Sequence, residues 1–261
     1  MLLEGLKPAF GTRLDGEHRQ AFADQVVEEV PVALLYNGQP HAVMMATPSD
    51  LADFALGFAL TEGIVADANE FRLVDCVRSE HGVSLQAAIP QQRFDALHER
   101  KRNLAGRSGC GLCGVESLQA ATRAVRRLQS DMTTSFEAIN DGLRALAAAQ
   151  PLNRISGGVH AAGFVHDEGI LVREDVGRHN ALDKLVGAMS AMALERGFLV
   201  ITSRASYEIV HKAASAGIAV VVAISAPTDF AIRIADQAGI SLIAFARGGT
   251  MTVYTHPHRV T

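Results

Sequence analysis

From residue 154 to the C-terminus, apolar segments alternate with amphipathic segments, and this order constrains the fold more than any other feature of the chain. Compact apolar runs predict buried strands, while apolar residues spaced three and four positions apart predict helices. Strands are expected at residues 161–166, 169–173, 198–202, 218–225, 240–246 and 252–255, and helices at 180–195, 207–216 and 229–238. Such an order predicts an α/β fold in which helices cover a sheet and the loops at strand ends form the functional site.

The first half of the chain carries two hairpin signals. Strands are predicted at residues 26–36 and 41–46 around Asn37-Gly38, and at residues 71–77 and 83–89 around His81-Gly82. Helices are expected at residues 51–59, 91–100, 115–128 and 136–149; Thr47 caps the first, and Pro151 marks the end of the last. The polar residues 131–135 indicate a boundary between an N-terminal α/β part, residues 1–134, and a second domain, residues 135–261.

The composition is typical of a soluble globular protein. The chain has 261 residues, of which 48% are hydrophobic, with three cysteines and a formal net charge of −4. No apolar stretch reaches the roughly 18 residues of a membrane span. A small, odd number of cysteines and no leader-like segment favour a reducing, cytoplasmic location. The mild negative charge disfavours broad nucleic-acid binding. We therefore expect a cytoplasmic protein that binds neither membranes nor nucleic acids.

The strongest chemical signal is Cys110-Gly111-Leu112-Cys113, flanked by Gly109 and Gly114. Four cations stand just upstream, namely Arg100, Lys101, Arg102 and Arg107. Positive charge favours the reactive thiolate form. The pair is therefore interpreted as a site of thiol or sulfur-transfer chemistry, ahead of a metal site or an incidental pair, because zinc requires four ligands and only two are local. Cys76 lies in an apolar strand pattern and is expected to pack in the interior.

Further polar clusters follow predicted strands. Residues 173–180 combine two acids, two arginines, a histidine and an amide, which are either solvated or bind a polar ligand. Ser203 and Ser225 suit helix caps or anion contacts. His160 and His179 suit either structural or ligand-binding roles. Residues 245–250 bring an arginine and two glycines, which form a hairpin turn or allow the backbone to approach a ring or a phosphate.

Taken together, these motifs resemble the FdhD family, the sulfur carriers required for formate dehydrogenase activity. The resemblance rests on Cys110-Gly111-Leu112-Cys113-Gly114, on residues 157–161, 174–181, 183–184, 203–210, 225–228 and 245–247, on Lys212 and on Val253-Tyr254. It implies a sulfurtransferase that receives persulfide sulfur from a cysteine desulfurase. The sulfur then passes to the molybdenum or tungsten of a bis(molybdopterin guanine dinucleotide) cofactor, before that cofactor enters formate dehydrogenase. It also implies a homodimer, with a cytidine deaminase-like C-terminal sheet flanked by helices and a smaller N-terminal α/β subdomain.

The resemblance assigns roles to particular residues. Cys110 is expected to carry the persulfide, and Cys113 to stabilise it, relay the sulfur or resolve it reductively. The guanine ends of the cofactor are expected at Phe245, Ala246, Arg247, Gly248, Gly249 and Thr250, with His160, Arg178, His179 and Ser203 as further contacts. No zinc is expected, because the deaminase pattern is absent: Gly109 precedes Cys110, and Ala162 follows His160 where that pattern has glutamate.

Two other functions remain open from the residues alone. Cys110 and Cys113 are also compatible with a thiol-disulfide oxidoreductase or redox sensor, although a thioredoxin-like protein places this pair directly after its first strand. A zinc-binding assembly module would need two further ligands, such as Cys76 and a histidine.

Overall fold

The computed structural model describes residues 3–105, 125, 127–192, 194 and 196–261. Cys110 and Cys113 lie outside the described residues, as does nearly all of the helix predicted at residues 115–128. The strands are β1 Leu6–Asp15, β2 His18–Val27, β3 Val30–Tyr36, β4 Gln39–Ala46, β5 Arg72–Ser79, β6 Gly82–Ala88, β7 His160–His166, β8 Gly169–Asp175, β9 Phe198–Ile201, β10 Val220–Ala223, β11 Ser241–Arg247 and β12 Thr250–Val253.

The α-helices are α1 Leu51–Thr61, α2 Gln91–Ala105, α3 Phe136–Ala148, α4 Pro151–Ser156, α5 Arg178–Ala191, α6 Tyr207–Ser215 and α7 Asp229–Ala238. Short 3-10 turns cover Ala68–Glu70 and Pro257–Arg259. Within the described ranges, no helix combines the length and the apolar character needed to cross a membrane.

The C-terminal half forms a six-stranded mixed sheet in the order β12-β11-β10-β9-β7-β8. Strands β9, β10 and β11 are parallel, whereas β7, β8 and β12 pair antiparallel with their neighbours. Helices α5, α6 and α7 contribute to the apolar core on one face of the sheet, and α3 packs on the other. The predicted α/β architecture, with helices on a sheet, is confirmed.

The N-terminal half forms a four-stranded sheet in the order β4-β3-β6-β5, and α1 covers one of its faces. Helix α1 also packs closely against α5. A Cβ added at Gly57 would overlap the carbonyl oxygen of Asp183, and a Cβ at Gly187 would overlap that of Asp53. Two glycines therefore allow the backbones of these helices to approach each other, and this contact joins the two sheets.

The antiparallel ribbon β1–β2 was not predicted from the sequence. The predicted strand from Val26 to Tyr36 is in fact two strands, because β2 ends at Val27 and β3 begins at Val30. The two-residue turn between β1 and β2 is Gly16-Glu17, with Gly16 at φ 58°. Glycine at the first of the two turn positions is typical of a tight hairpin, so a signal was present in the sequence.

Two local predictions were wrong, and a third was incomplete. Thr47 does not cap α1, because Asp50 occupies the cap position and the Thr47 hydroxyl accepts a hydrogen bond from the Val176 N–H at 3.2 Å. Pro151 does follow the end of α3 at Ala148, as predicted, but it also begins α4, where its missing N–H is harmless. Cys76 is exposed, because β5 is an edge strand of the four-stranded sheet.

Candidate functional site

The carboxyl ends of the parallel strands β9, β10 and β11 lie at one edge of the six-stranded sheet, here called the carboxyl edge. The loops that follow them are hydrogen-bonded to one another. The Ala205 N–H donates to the Ala226 carbonyl at 3.2 Å, and the Thr228 N–H donates to the Ala205 carbonyl at 3.0 Å. The Phe245 N–H donates to the Ser225 carbonyl at 3.2 Å. The predicted strand-end loops therefore form one continuous rim, a common location for ligand sites in α/β sheets.

The antiparallel strands bring further candidates to the same edge. His160, the first residue of β7, pairs with Asp175, the last residue of β8. Because β7 also pairs with β9, the Ala161 N–H donates to the Thr202 hydroxyl at 2.9 Å. Helix α5 begins directly after β8, so its first turn, with Arg178 and His179, lies at the carboxyl edge as well.

The two histidines of this edge are electrostatically similar. Burial lowers the pKa of His160, and the neighbouring Arg178 cation lowers it further. Burial and Arg178 likewise lower the pKa of His179, against the opposing effect of Glu208, whose Oε2 lies 3.8 Å from Nε2. Both imidazoles are therefore neutral at neutral pH. The edge presents neutral rings beside a guanidinium, an arrangement suited to a polar, anionic ligand.

The end of β11 departs from regular strand geometry. Phe245 has φ 53°, in the left-handed region that a non-glycine residue rarely adopts, and it lies in a β-bulge between Ala244 and Arg247. Its side chain is 39% exposed, whereas the Ala246 side chain is buried in the core, so Ala246 can offer only backbone atoms to a ligand. Strained residues of this kind cluster at functional sites.

The hairpin turn after Arg247 is confirmed. Gly248 and Gly249 have φ 60° and 74°, and they join β11 to β12. Arg247 and Thr250 are exposed at either side of the turn, where the Thr250 hydroxyl donates to the Arg247 carbonyl at 3.1 Å. A Cβ built on either glycine would meet nothing within 4 Å, so the backbone of this turn is open to a ligand.

Asp175, one of the two acids in this cluster, is neither solvated nor available to a ligand. Asp175 is fully buried and accepts four hydrogen bonds from the protein. The donors are the Thr47 N–H at 3.0 Å, the Gly177 N–H at 2.8 Å, the Asn180 Nδ2 at 3.0 Å and the Lys184 Nζ at 2.7 Å. These four hydrogen bonds offset the free-energy cost of burying the Asp175 carboxylate. They also fix the turn that places Arg178 and His179.

The neighbouring acid, Glu174, serves a different helix. Its carboxylate accepts hydrogen bonds from the Leu152 and Asn153 N–H groups, at 2.9 Å and 2.8 Å, in the first turn of α4. Burial nevertheless raises its pKa. Glu174 therefore anchors the segment that leads into His160.

A second buried network was not assigned a role from the sequence. Lys212 of α6 donates to Asp183 Oδ1 at 2.8 Å, to the Thr61 hydroxyl at 2.9 Å and to Glu62 Oε1 at 3.0 Å. Burial raises the pKa of Asp183, although Lys212 opposes that change. The network ties α1, α5 and α6 together behind the carboxyl edge.

Ser203 and Ser225 do not occupy the cap positions of the helices that follow them. Ser206 occupies the cap position of α6, and Thr228 caps α7 by accepting a hydrogen bond from the Ala231 N–H at 3.1 Å. Ser203 is buried, and its hydroxyl donates to the Arg204 carbonyl at 3.1 Å. Among the described residues, no group of three or more histidine, cysteine, aspartate and glutamate side chains could hold a metal ion.

Known proteins similar to this chain share both its sequence and its fold. The model of the FdhD/NarQ family matches residues 27–261. The chain is 52% identical over 241 residues to the sulfur carrier protein FdhD of Xanthomonas axonopodis pv. citri (strain 306), which covers 91% of this chain and 86% of that protein. It is 49% identical over 247 residues to the sulfur carrier protein FdhD of Variovorax paradoxus (strain S110), covering 92% and 89%.

A solved structure supports the fold. The crystal structure of a Desulfotalea psychrophila protein, described as a formate dehydrogenase accessory protein, superposes with a TM-score of 0.77. That match covers 98% of this chain and 99% of the other at 22% sequence identity.

Proposed function

Because the chain belongs to the FdhD/NarQ family, we propose that it is a sulfur carrier that serves formate dehydrogenase. The observation that carries this proposal is the sequence identity to curated sulfur carriers over most of the chain. The Cys110-Gly111-Leu112-Cys113 motif supplies the chemistry that such a function requires.

Sulfur loading requires one nucleophilic step. The Cys110 thiolate attacks the terminal sulfur of a persulfide on a cysteine desulfurase, and the desulfurase cysteine leaves as a thiolate. The product is a persulfide on Cys110, with no net oxidation. When Cys113 then attacks the inner sulfur, hydrosulfide leaves and a Cys110–Cys113 disulfide forms, which a thiol reductant must reduce before the next cycle.

The client in this proposal is bis(molybdopterin guanine dinucleotide), which would accept the sulfur at its metal before insertion into formate dehydrogenase. Several features of the carboxyl edge suit its guanine nucleotide ends. Arg247 offers an exposed cation for phosphate, Gly248 and Gly249 leave the backbone accessible, and the exposed ring of Phe245 can stack on a purine. His160, Arg178, His179 and Ser203 lie along the same edge, while Ala246 and Thr250 flank Arg247.

The proposal includes a cytoplasmic homodimer and a cytidine deaminase-like relationship for the six-stranded sheet. In this proposal the two expected domains have different roles: residues 1–134 carry the cysteines, and residues 135–261 bind the cofactor. In this proposal the protein needs no metal ion of its own, since the molybdenum or tungsten belongs to the pterin cofactor that it serves.

Mass spectrometry tests sulfur carriage directly. After incubation with a cysteine desulfurase and free cysteine, the protein should gain about 32 Da, the mass of one sulfur, on Cys110. Cys110→Ala should abolish this gain and the maturation of formate dehydrogenase without loss of fold. Cys76→Ala is the matched control, because Cys76 is exposed on β5 and should not affect loading. A Cys110–Cys113 disulfide formed without any sulfur gain would instead favour a thiol-disulfide oxidoreductase.

A further inference from the structure

Glu208 is a carboxylate of the carboxyl edge that has no part in the proposed function. It lies in the first turn of α6, and its side chain is 51% exposed. Burial raises the pKa of Glu208, but the Ser206 hydroxyl, the Glu208 N–H and the neighbouring Arg178 together hold it below its ordinary value. Glu208 therefore carries a negative charge at an edge whose other candidate contacts are arginines, histidines and hydroxyls.

The side chains next to Glu208 have unused hydrogen-bonding atoms. Within the part of the chain that the structure describes, Arg178 Nε and His179 Nε2 are buried and form no hydrogen bond. His179 Nε2 lies 3.8 Å from Glu208 Oε2, which is too long for a hydrogen bond. A buried polar atom without a partner costs free energy, so these atoms indicate a site that a further molecule completes.

These side chains come from two helices that meet at the carboxyl edge. Arg178 and His179 begin α5, and Glu208 lies at the second position of α6. Arg178 lies close to both Glu208 and His160, because its guanidinium acts electrostatically on each of them. The first turns of α5 and α6 thus present an acceptor-only carboxylate beside a donor-only guanidinium.

A purely structural role for Glu208 has a close parallel in the same chain. An acid in the first turn of a helix stabilises it through the helix dipole. Glu137 occupies the same position of α3, two residues after the capping residue Ser135, as Glu208 does after Ser206. Its neighbour Phe136 donates its N–H to the Thr261 carbonyl at 2.9 Å, not to a loop of the carboxyl edge. Glu137 therefore shows what a helix-dipole role alone would do.

We propose that Glu208 and Arg178 recognise the amino-oxo edge that guanine and pterin rings share. This edge carries an amino group and a ring N–H side by side, followed by a carbonyl oxygen. The two oxygens of Glu208 accept hydrogen bonds from the amino group and the N–H, and Arg178 donates to the carbonyl oxygen. The inference rests on the proposed function, whose cofactor contains both ring systems, and it adds the residues that select them.

Isothermal titration calorimetry of the full chain tests this recognition with two ligand pairs. Guanosine diphosphate is compared with inosine diphosphate, which lacks the amino group, and pterin is compared with lumazine, which has a carbonyl in its place. The wild type should bind the amino-bearing member of at least one pair about tenfold or more tightly. A preference within the first pair identifies the guanine end of the cofactor as the ligand, and one within the second identifies the pterin.

Variants then assign the preference to particular side chains. Glu208→Gln should bring the two affinities close to equal, because an amide offers one acceptor and a mismatched donor. Arg178→Gln should weaken both members of the pair alike, since both keep the carbonyl oxygen. Glu137→Gln is the matched control and should leave the preference unchanged. Far-UV circular dichroism checks that each variant is folded.

Three results would overturn the proposal: no measurable binding of any of the four ligands, equal affinities within both pairs in the wild type, or a preference that Glu208→Gln leaves intact. A merely structural Glu208 would lower stability without changing the ratio of affinities. Sulfur loading is measured separately by mass spectrometry. A protein that gains no sulfur but keeps a Glu208-dependent preference would lose the proposed carrier function and retain this binding site.

Discussion

At the scale of single residues, the carboxyl edge combines neutral histidines with arginine side chains. His160 and His179 are held neutral by burial and by Arg178, so they can offer a ring nitrogen as an acceptor. Arg178 and Arg247 supply guanidinium groups that can donate to phosphate oxygens. The edge can therefore bind a ligand that carries both phosphates and a hydrogen-bonding base, as a guanine nucleotide does.

The lowered histidine pKa values predict a pH dependence of stability. Both folded-state values lie below the ordinary value of 6.5, so the unfolded chain binds more protons and stability rises with pH. The contribution is complete above pH 6.5 and is lost as the pH falls toward the folded-state values. Urea denaturation at about pH 7.5 and 5.5 should show a smaller pH effect in His160→Gln and His179→Gln than in the wild type. His81→Gln, on an exposed turn, is the control; an undiminished pH effect in both test variants would contradict this prediction.

Arg247 gives a prediction on ligand affinity. Arg247→Ala should weaken guanosine diphosphate binding about tenfold or more, because it removes a charge-assisted contact to phosphate. Isothermal titration calorimetry measures the affinity. The matched control is Arg196→Ala, since Arg196 is exposed and precedes β9 at the opposite edge of the sheet. Equal affinities in the wild type and Arg247→Ala would remove Arg247 from the site.

At the scale of elements, the crossing of α1 and α5 determines how the two halves of the chain meet. Gly57 and Gly187 lie where each helix contacts the backbone of the other, so neither position has room for a side chain. The buried Lys212 network closes the same contact from α6. The glycines thus provide close approach, and the polar network fixes how the helices are aligned.

Replacement of Gly187 tests this packing. Replacing an exposed helical glycine with alanine usually stabilises a protein. Gly187→Ala should instead destabilise this protein by about 1–3 kcal/mol, because the new methyl group meets the Asp53 carbonyl oxygen. The comparison is Gly142→Ala in α3, where the new methyl group meets side-chain atoms only, the nearest a Val165 methyl at 2.7 Å, so the loss of stability should be smaller. Urea denaturation measures both. A Gly187→Ala protein as stable as the wild type would show that the crossing has more room than described.

At the scale of the whole molecule, one buried ion pair links both sheets. Asp175 ends β8 of the six-stranded sheet, and its partner Lys184 also donates to the Thr47 carbonyl at 2.9 Å, just after β4 of the four-stranded sheet. The Asn180 Nδ2 donates to the Met45 carbonyl at 2.8 Å beside it. Hydrogen bonds from one cluster to both sheets favour unfolding of the described halves in a single transition.

Removal of the cation tests the link. Lys184→Met should destabilise the protein by about 3–5 kcal/mol, because it leaves the Asp175 carboxylate buried without its counter-ion. The control is Arg144→Met, which breaks an exposed pair with Asp141 and should change stability by less than about 1 kcal/mol. Urea denaturation followed by far-UV circular dichroism measures both. Similar, small losses in the two variants would contradict a structural role for the Asp175–Lys184 pair.

Local periodicity accounts for the elements that were predicted correctly. The strands and helices from His160 onward follow apolar runs and stripes whose burial is decided within each segment. The ribbon β1–β2 was missed because its apolar residues are few and exposed. Its strongest signal was Gly16, at the first position of the two-residue turn.

By itself, the sequence determined the α/β order of elements, the hairpin turn at Gly248-Gly249 and the family, because each depends on neighbouring residues or on motifs read along the chain. Only the tertiary structure decided which charges are internal. Asp175 meets Thr47, and Lys212 meets Thr61, across more than a hundred residues of chain. Whether such a charge is buried, paired or exposed depends on packing between distant segments, which no local pattern encodes.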